Sequence, residues 1–277
     1  MHLISLSTIP SRFGKLDRTL NLLLNQSSRP DHIILYIPRT YRRFPDYDGH
    51  LPQVPKGVEI RVVDEDFGPA TKVLHACRDF AGTDTEILFC DDDMLYPRHW
   101  AAAFLKERRH APEACLAICG FQISRLIDSD GMRDAQPRAL RSWRITDVEN
   151  HLRQYVRNIQ QRWFGRTPTL LGRRINLRSG YIDCFEGFGG VMVRPDFFDE
   201  RAFDIPEVLW AVDDIWLSGM ATANHHPVWA IGRMREPEPH PLFIENALHN
   251  AVIDGADRGQ ANRAAATYLR ETYGIWS

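Results

Sequence analysis

The chain has 277 residues, of which 44% are hydrophobic and 25% charged, and its formal net charge is −2. These are the proportions of a globular protein, and the near balance of charge gives no general reason for a nucleic-acid partner. No apolar run approaches the ~20 residues needed to cross a bilayer.

Met1-His2-Leu3-Ile4-Ser5-Leu6 reads as a first strand, because it has neither the basic start nor the long apolar core of a secretory leader. The cysteines are Cys77, Cys90, Cys115, Cys119 and Cys184, an odd number without disulfide-framework spacing. Buried free thiols and a reducing, cytoplasmic setting are the expectation. Ser7 to Arg12 is a turn, and Leu16 to Leu24 has helical apolar spacing. Asp31 to Ile37 is a second strand, ended by Pro38, and the proline-bearing stretch from Arg39 to Lys56 is a loop. Val58 to Val63 is a third strand. It leads through Asp64-Glu65-Asp66-Phe67-Gly68-Pro69-Ala70-Thr71-Lys72 into a helix that runs to Phe80.

After Glu86, Ile87-Leu88-Phe89-Cys90 is an apolar run without alternation, as suits a strand covered on both faces, and it stops at Asp91-Asp92-Asp93. Ligands of open α/β sheets bind at that strand edge. Strand alternation points Asp91 and Asp93 one way and Asp92 the other. The outer pair is then suited to a hard divalent cation such as Mg²⁺ or Mn²⁺. A single aspartate there would be an ordinary turn or helix cap, but three in a row repel one another unless a cation intervenes. A helix from His99 to about Arg109 and a strand from Cys115 to Phe121 complete a βαβαβ pattern. The pattern predicts a single domain over 1–277, three-layer α/β with a mostly parallel sheet.

From Arg125 to Arg178 the pattern breaks. This insertion has twelve arginines, no lysine, four aspartates and one glutamate, a local formal charge of +7. Trp143, Tyr155, Trp163 and Phe164 are interleaved with the arginines, and Asp147 to Trp163 is spaced as an amphipathic helix. Such a stretch is either a solvated lid or a surface for phosphate, carboxylate or sugar. Tyr181 to Pro195 carries glycines that mark either a tight turn, a backbone close to ligand, or an edge strand. Val212 to Ala221 reads as a helix start, with Asp213 or Asp214 as its cap. Pro227 to Ile231 is a last strand, and a mostly helical tail covers 243–277.

Four pieces, in order, resemble GT-A-fold, nucleotide-sugar-dependent glycosyltransferases of the family 2-like group. They are Ser7-Thr8-Ile9-Pro10-Ser11-Arg12, Asp66-Phe67-Gly68-Pro69-Ala70-Thr71-Lys72, Asp91-Asp92-Asp93, and Glu186-Gly187-Phe188-Gly189-Gly190 followed by Asp213-Asp214-Ile215-Trp216-Leu217-Ser218. The likeness spans roughly Met1 to Ile231 and omits the insertion and the tail.

The resemblance implies a Rossmann-like GT-A fold and a nucleotide-sugar donor, with UDP ahead of GDP. It implies nucleotide contacts at Thr8, Ile9, Pro10, Arg12, Asp66, Gly68, Pro69, Lys72, Asp91 and Asp92. Asp93 would be the direct ligand of Mn²⁺ or Mg²⁺, with Asp91 on the metal or the ribose. A histidine from the C-terminal part would complete the metal set; His225, His226, His240 and His249 are the candidates, and His249 is preferred. Asp214, with Asp213 as alternative, sits where the family places an inverting base, although retaining enzymes of this fold also carry acids there. The acceptor would be a glycan or lipid-linked molecule, and the insertion favours an anionic one or a peripheral membrane contact. No nucleic-acid partner is expected. A sugar-1-phosphate nucleotidyltransferase would need glycines that Leu6-Ser7-Thr8-Ile9-Pro10 lacks. A non-catalytic carbohydrate- or nucleotide-binding module would not need Asp91, Asp93 and Asp214.

Overall fold

The structure is a computed structural model that describes residues 1–132, 134–142, 147–165, 171–242 and 258–277. Trp143, Arg144, His249 and the first part of the tail lie outside the described residues.

β1 (His2–Ser7), α1 (Asp17–Leu24), β2 (His32–Pro38), β3 (Glu59–Val63), α2 (Thr71–Asp79) and β4 (Glu86–Phe89) follow the expected order. Next come β5 (Met94–Leu95), α3 (Trp100–Glu107), β6 (Cys115–Ala117) and β7 (Gly120–Phe121). The insertion holds β8 (Leu140–Arg141), α4 (Val148–Trp163) and β9 (Asn176–Arg178). Then follow β10 (Gly180–Ile182), β11 (Cys184–Phe185), β12 (Val191–Val193), α5 (Asp213–Ala223), β13 (Val228–Ala230), β14 (Glu238–Pro239) and α6 (Arg258–Tyr273).

One eight-stranded sheet has the order β10-β13-β6-β12-β4-β1-β2-β3. β3, β2, β1, β4, β6 and β13 run one way; β12 and β10 run against them. Strand periodicity sends alternate residues to opposite faces, and the core divides accordingly. Leu3, Ile87 and Phe89 pack with α2, α5 and α6 on one face. Ile4, Leu6, Leu88 and Cys90 pack with α1 and with Trp100 and Phe104 of α3 on the other. Both faces are covered, so after Glu86, which pairs with Arg108 and Arg194, β4 is apolar to its end. Each fully buried Leu, Ile or Phe contributes about 1.5–3 kcal/mol by leaving water. This is the three-layer, mostly parallel arrangement expected from the sequence, and it is consistent with a Rossmann-like GT-A fold. The five cysteines are buried and free. No helix among the described residues is long and apolar enough to cross a membrane.

Four local expectations are corrected. Cys115 to Phe121 is not one strand: β6 joins the large sheet, while β7 pairs with β11. Tyr181 to Pro195 is not one edge strand either: its first residues belong to β10 at the sheet's edge, but β12 lies between β6 and β4 in the middle of the sheet. Gly190 makes that entry feasible. Its φ is +88°, and a Cβ there would stand 2.3 Å from the Trp100 ring. β13 is not the last strand, since β14 follows and pairs with β5. Finally, neither Asp213 nor Asp214 caps α5. Val212 is the cap residue and, being apolar, offers no side-chain cap bond; Asp213 turns to Lys72, and Asp214 accepts from Gly187 N.

Candidate functional site

After β1 the chain moves outward to β2 and β3; it then returns to place β4 on the other side of β1. The order therefore reverses between β1 and β4, and the carboxyl ends of strands at such a reversal form a crevice. Thr8 and Arg12 follow β1, and Asp91, Asp92 and Asp93 follow β4. These residues meet there.

Arg12 forks across two carboxylates. Its Nη1 lies 2.5 Å from Asp92 Oδ1 and its Nη2 lies 3.0 Å from Asp93 Oδ2. The Thr8 hydroxyl donates to the other Asp92 oxygen, and the Tyr41 hydroxyl donates to Thr8 O at 2.9 Å. Pro10 opens the 3-10 turn that carries Arg12, and Arg12 N donates to Ile9 O at 2.9 Å. The Asp92 side chain is 4% exposed, whereas Asp91 and Asp93 are 29% and 23% exposed. The extended alternation expected of the strand is not kept, because the chain turns at Asp92 and Asp93 and Arg12 reaches both; the outer aspartates still open toward solvent, and the middle one is committed to Arg12 and Thr8.

Lys72 does the corresponding work on the other side. Gly68 and Pro69 turn the chain into α2 and put Lys72 in its first turn. Gly68 has φ +59°, and a Cβ there would lie 2.8 Å from the Trp210 ring, so only glycine fits without displacing the tryptophan. Both Asp66 carboxylate oxygens accept backbone amides, from Gly68 and Arg42, at 2.8 Å each. The Lys72 ammonium is buried, 2.5 Å from Asp91 Oδ1 and 3.3 Å from Asp213 Oδ2. Asp214 Oδ1 accepts from Gly187 N at 2.8 Å. Burial alone would lower the Lys72 pKa, but Asp91, Asp213 and Asp214 outweigh it and hold the ammonium well above its ordinary value.

The carboxylates are perturbed the other way. Asp93 is pushed up to about 6, by burial first and then by Asp91 and Asp92. Asp92 is also raised by burial, against the pull of Arg12 and Thr8. Asp214 is held well above the usual carboxylate range by burial and by Asp213 beside it. Five carboxylates share two cations, and that excess of negative charge favours a further cation. Among the described residues no three His, Cys, Asp or Glu side chains come together as a ready metal cage. The donor set still fits a hard divalent ion held by one or two carboxylates, with substrate phosphates and water supplying the rest.

Of the histidines, His226 stacks on Phe197 at 4.0 Å and its Nδ1 meets Glu113 O at 3.0 Å, a structural position. His225 lies just past the end of α5 with φ 66°. His240 meets the backbone of the aspartate run, where its N donates to the main-chain Asp93 O at 2.8 Å. The charges that bear most on its ring are those of Arg18 and Lys15. His249, the preferred candidate, lies outside the described residues.

Tyr96 was not singled out by the sequence. Its hydroxyl accepts from Asp91 N at 2.9 Å and donates to Phe188 O at 3.1 Å, tying the aspartate turn to the glycine stretch. Trp210, also unforeseen, donates from Nε1 to Asp66 O at 3.1 Å beneath Gly68. An aromatic three residues beyond a carboxylate run is a usable signal for the first; nothing local marks the second.

No protein-family model and no curated protein matches the chain. Solved structures do match. S. aureus TarS 1–349 in complex with UDP aligns at 12% identity and TM-score 0.44, over 85% of this chain and 59% of that one. S. aureus TarS 1–349 aligns at 11% identity and TM-score 0.45, over 98% and 72%. S. aureus TarS aligns at 11% and 0.44, over 98% and 44%. The chain thus spans 59% of the first match's length. At these values the likeness assigns no role to any residue.

Proposed function

We propose that this chain is a glycosyltransferase that moves a sugar from a nucleoside-diphosphate sugar, a UDP-sugar first, to a glycan or lipid-linked acceptor. The observation that carries this reading is the gathering of Asp91, Asp213 and Asp214 around Lys72, with Asp92 and Asp93 on Arg12 beside them, at the strand edge where the sheet order reverses. The ordered motif resemblance supports it. A bare binding module has no use for so many buried, mutually repelling acids.

The residues take the following roles. Thr8, Arg12 and Lys72 hold the aspartates in place, and the two cations would offset the charge of a diphosphate. Asp93, with Asp91, would hold Mn²⁺ or Mg²⁺, which supplies Lewis-acid stabilisation of the departing diphosphate. The acceptor oxygen attacks the anomeric carbon and its proton passes to Asp214. The bond from that carbon to the diphosphate oxygen breaks, with the electron pair staying on the diphosphate. General-base help of this kind is typically worth 10²–10⁴-fold. Asp213, held by Lys72, is the alternative base.

The acceptor is anionic in this reading. Arg141 lies close enough to Arg125, Glu186 and Arg173 for their charges to act on it, and Glu186 directly precedes the Gly187 amide that binds Asp214. Arginine clusters suit phosphate and carboxylate.

The test is nucleotide release from a panel of UDP- and GDP-sugars with Mn²⁺. Release of the nucleoside diphosphate marks a transferase. Pyrophosphate exchange marks a nucleotidyltransferase, and nucleotide binding without turnover marks a binding module; either would overturn the proposal.

A further inference from the structure

Helix α4 carries its apolar face outward. Val148, Leu152, Tyr155, Val156, Ile159 and Trp163 are 73%, 62%, 64%, 46%, 37% and 85% exposed. At 3.6 residues per turn they form one stripe roughly 100° wide. The opposite side meets the rest of the protein through polar groups. Arg157 binds Glu238 at 2.8 Å, Arg153 donates to Gly172 O at 3.3 Å, and Gln154 accepts from Leu171 N at 2.9 Å. No residue of α4 is buried. An ordinary surface helix turns its apolar stripe to the core, so this one is reversed. A contiguous exposed apolar stripe of this kind marks a contact surface.

The formal charge of the stretch that carries α4 decides between occupants. Residues 125–178 carry +7 in a chain whose net charge is −2. A second copy docked stripe to stripe would bring two such stretches together. An anionic surface would be attracted to them instead. Tyr155 and Trp163 stand on the stripe, Phe164 follows it at 75% exposure, and Arg162 borders it. Aromatic and aliphatic side chains beside arginine are what a helix lying in a lipid interface presents.

We propose that α4 docks in the headgroup plane of an anionic lipid bilayer, apolar stripe down. This inference does not rest on the transferase reading, because vesicle binding reads the surface alone. The test is flotation of the full chain with vesicles of phosphatidylcholine, with and without phosphatidylglycerol. The wild-type protein binds the phosphatidylglycerol vesicles, and less so as salt rises. The triple variant Leu152→Ser, Ile159→Ser, Trp163→Ser binds at least roughly tenfold more weakly, with an unchanged circular dichroism spectrum. Should that variant misfold, brominated lipid serves instead: it quenches wild-type fluorescence, and Trp163→Phe loses that quenching. Absence of wild-type binding overturns the proposal, as does equal binding by the folded triple variant or no quenching at Trp163. A wild-type dimer in sedimentation that becomes monomeric in the triple variant assigns the face to a second copy instead.

Discussion

Lys72 Nζ stands 3.3 Å from Asp213 Oδ2, and the same ammonium lies 2.5 Å from Asp91 Oδ1. One buried cation therefore joins the first turn of α5 to the end of β4, two places far apart in the chain. Removing it leaves carboxylates buried without compensation. Lys72→Met is expected to cost about 3–5 kcal/mol of stability, as breaking a buried ion pair does. Lys72→Arg keeps the charge and costs less. Urea unfolding midpoints measure both, and a Lys72→Met protein as stable as wild type contradicts this role.

Asp93 gives a pH dependence. Its pKa is pushed up to about 6 in the fold, above the ordinary carboxylate value. The folded state therefore binds the proton more tightly than the unfolded chain does. The ionised carboxylate is a penalty above about pH 6, and the penalty is relieved as pH falls through that value. Without metal, Asp93→Asn is expected to melt a few degrees above wild type near neutral pH, with the gap closing in acid. Protons and Mn²⁺ compete for the same oxygens, so the Mn²⁺-induced rise in melting temperature shrinks below about pH 6. Thermal melts of both proteins across that range, with and without Mn²⁺, check the pair of statements.

Much of this was readable from the chain. The end of β4 showed in an apolar run that stops at three aspartates, and Lys72 showed through the glycine-proline turn before it. Local patterns carried that information. The missing parts depend on contacts between distant residues. β12 reads as a loose glycine stretch, yet it lies at the sheet's centre because Gly190 clears Trp100. β14 has two residues and no periodicity, and only its pairing with β5 brings His240 to Asp93. The amphipathic spacing of α4 was legible, but periodicity does not say which face meets the protein. Its polar face does, because Arg157 finds Glu238.

Gly68 offers a backbone test of the donor side. At φ +59°, alanine pays roughly 1–2 kcal/mol in conformation alone. Its Cβ would also press on Trp210, 2.8 Å away. Gly68→Ala is expected to lower stability by that amount or more and to weaken nucleotide binding by shifting the start of α2. Denaturant midpoints and nucleotide titration by calorimetry measure the two effects; a neutral substitution would show that the turn does not position Lys72.

Asp214 and Asp213 separate by kinetics. If Asp214 is the base, Asp214→Asn lowers turnover by about 10²-fold or more while nucleotide affinity barely changes. Asp213→Asn then acts through Lys72 and shows itself in stability first. A parallel fall in nucleotide affinity and turnover for Asp214→Asn would make that residue a structural partner of the Gly187 amide and nothing more.

The most direct measurement of the central claim is UDP release from UDP-sugars by wild type and by Asp93→Ala, each with Mn²⁺ and with excess EDTA. The account predicts release by wild type with Mn²⁺ alone, and none by Asp93→Ala, whose circular dichroism and melting stay those of a folded protein. Full release in EDTA, or by Asp93→Ala, would contradict it.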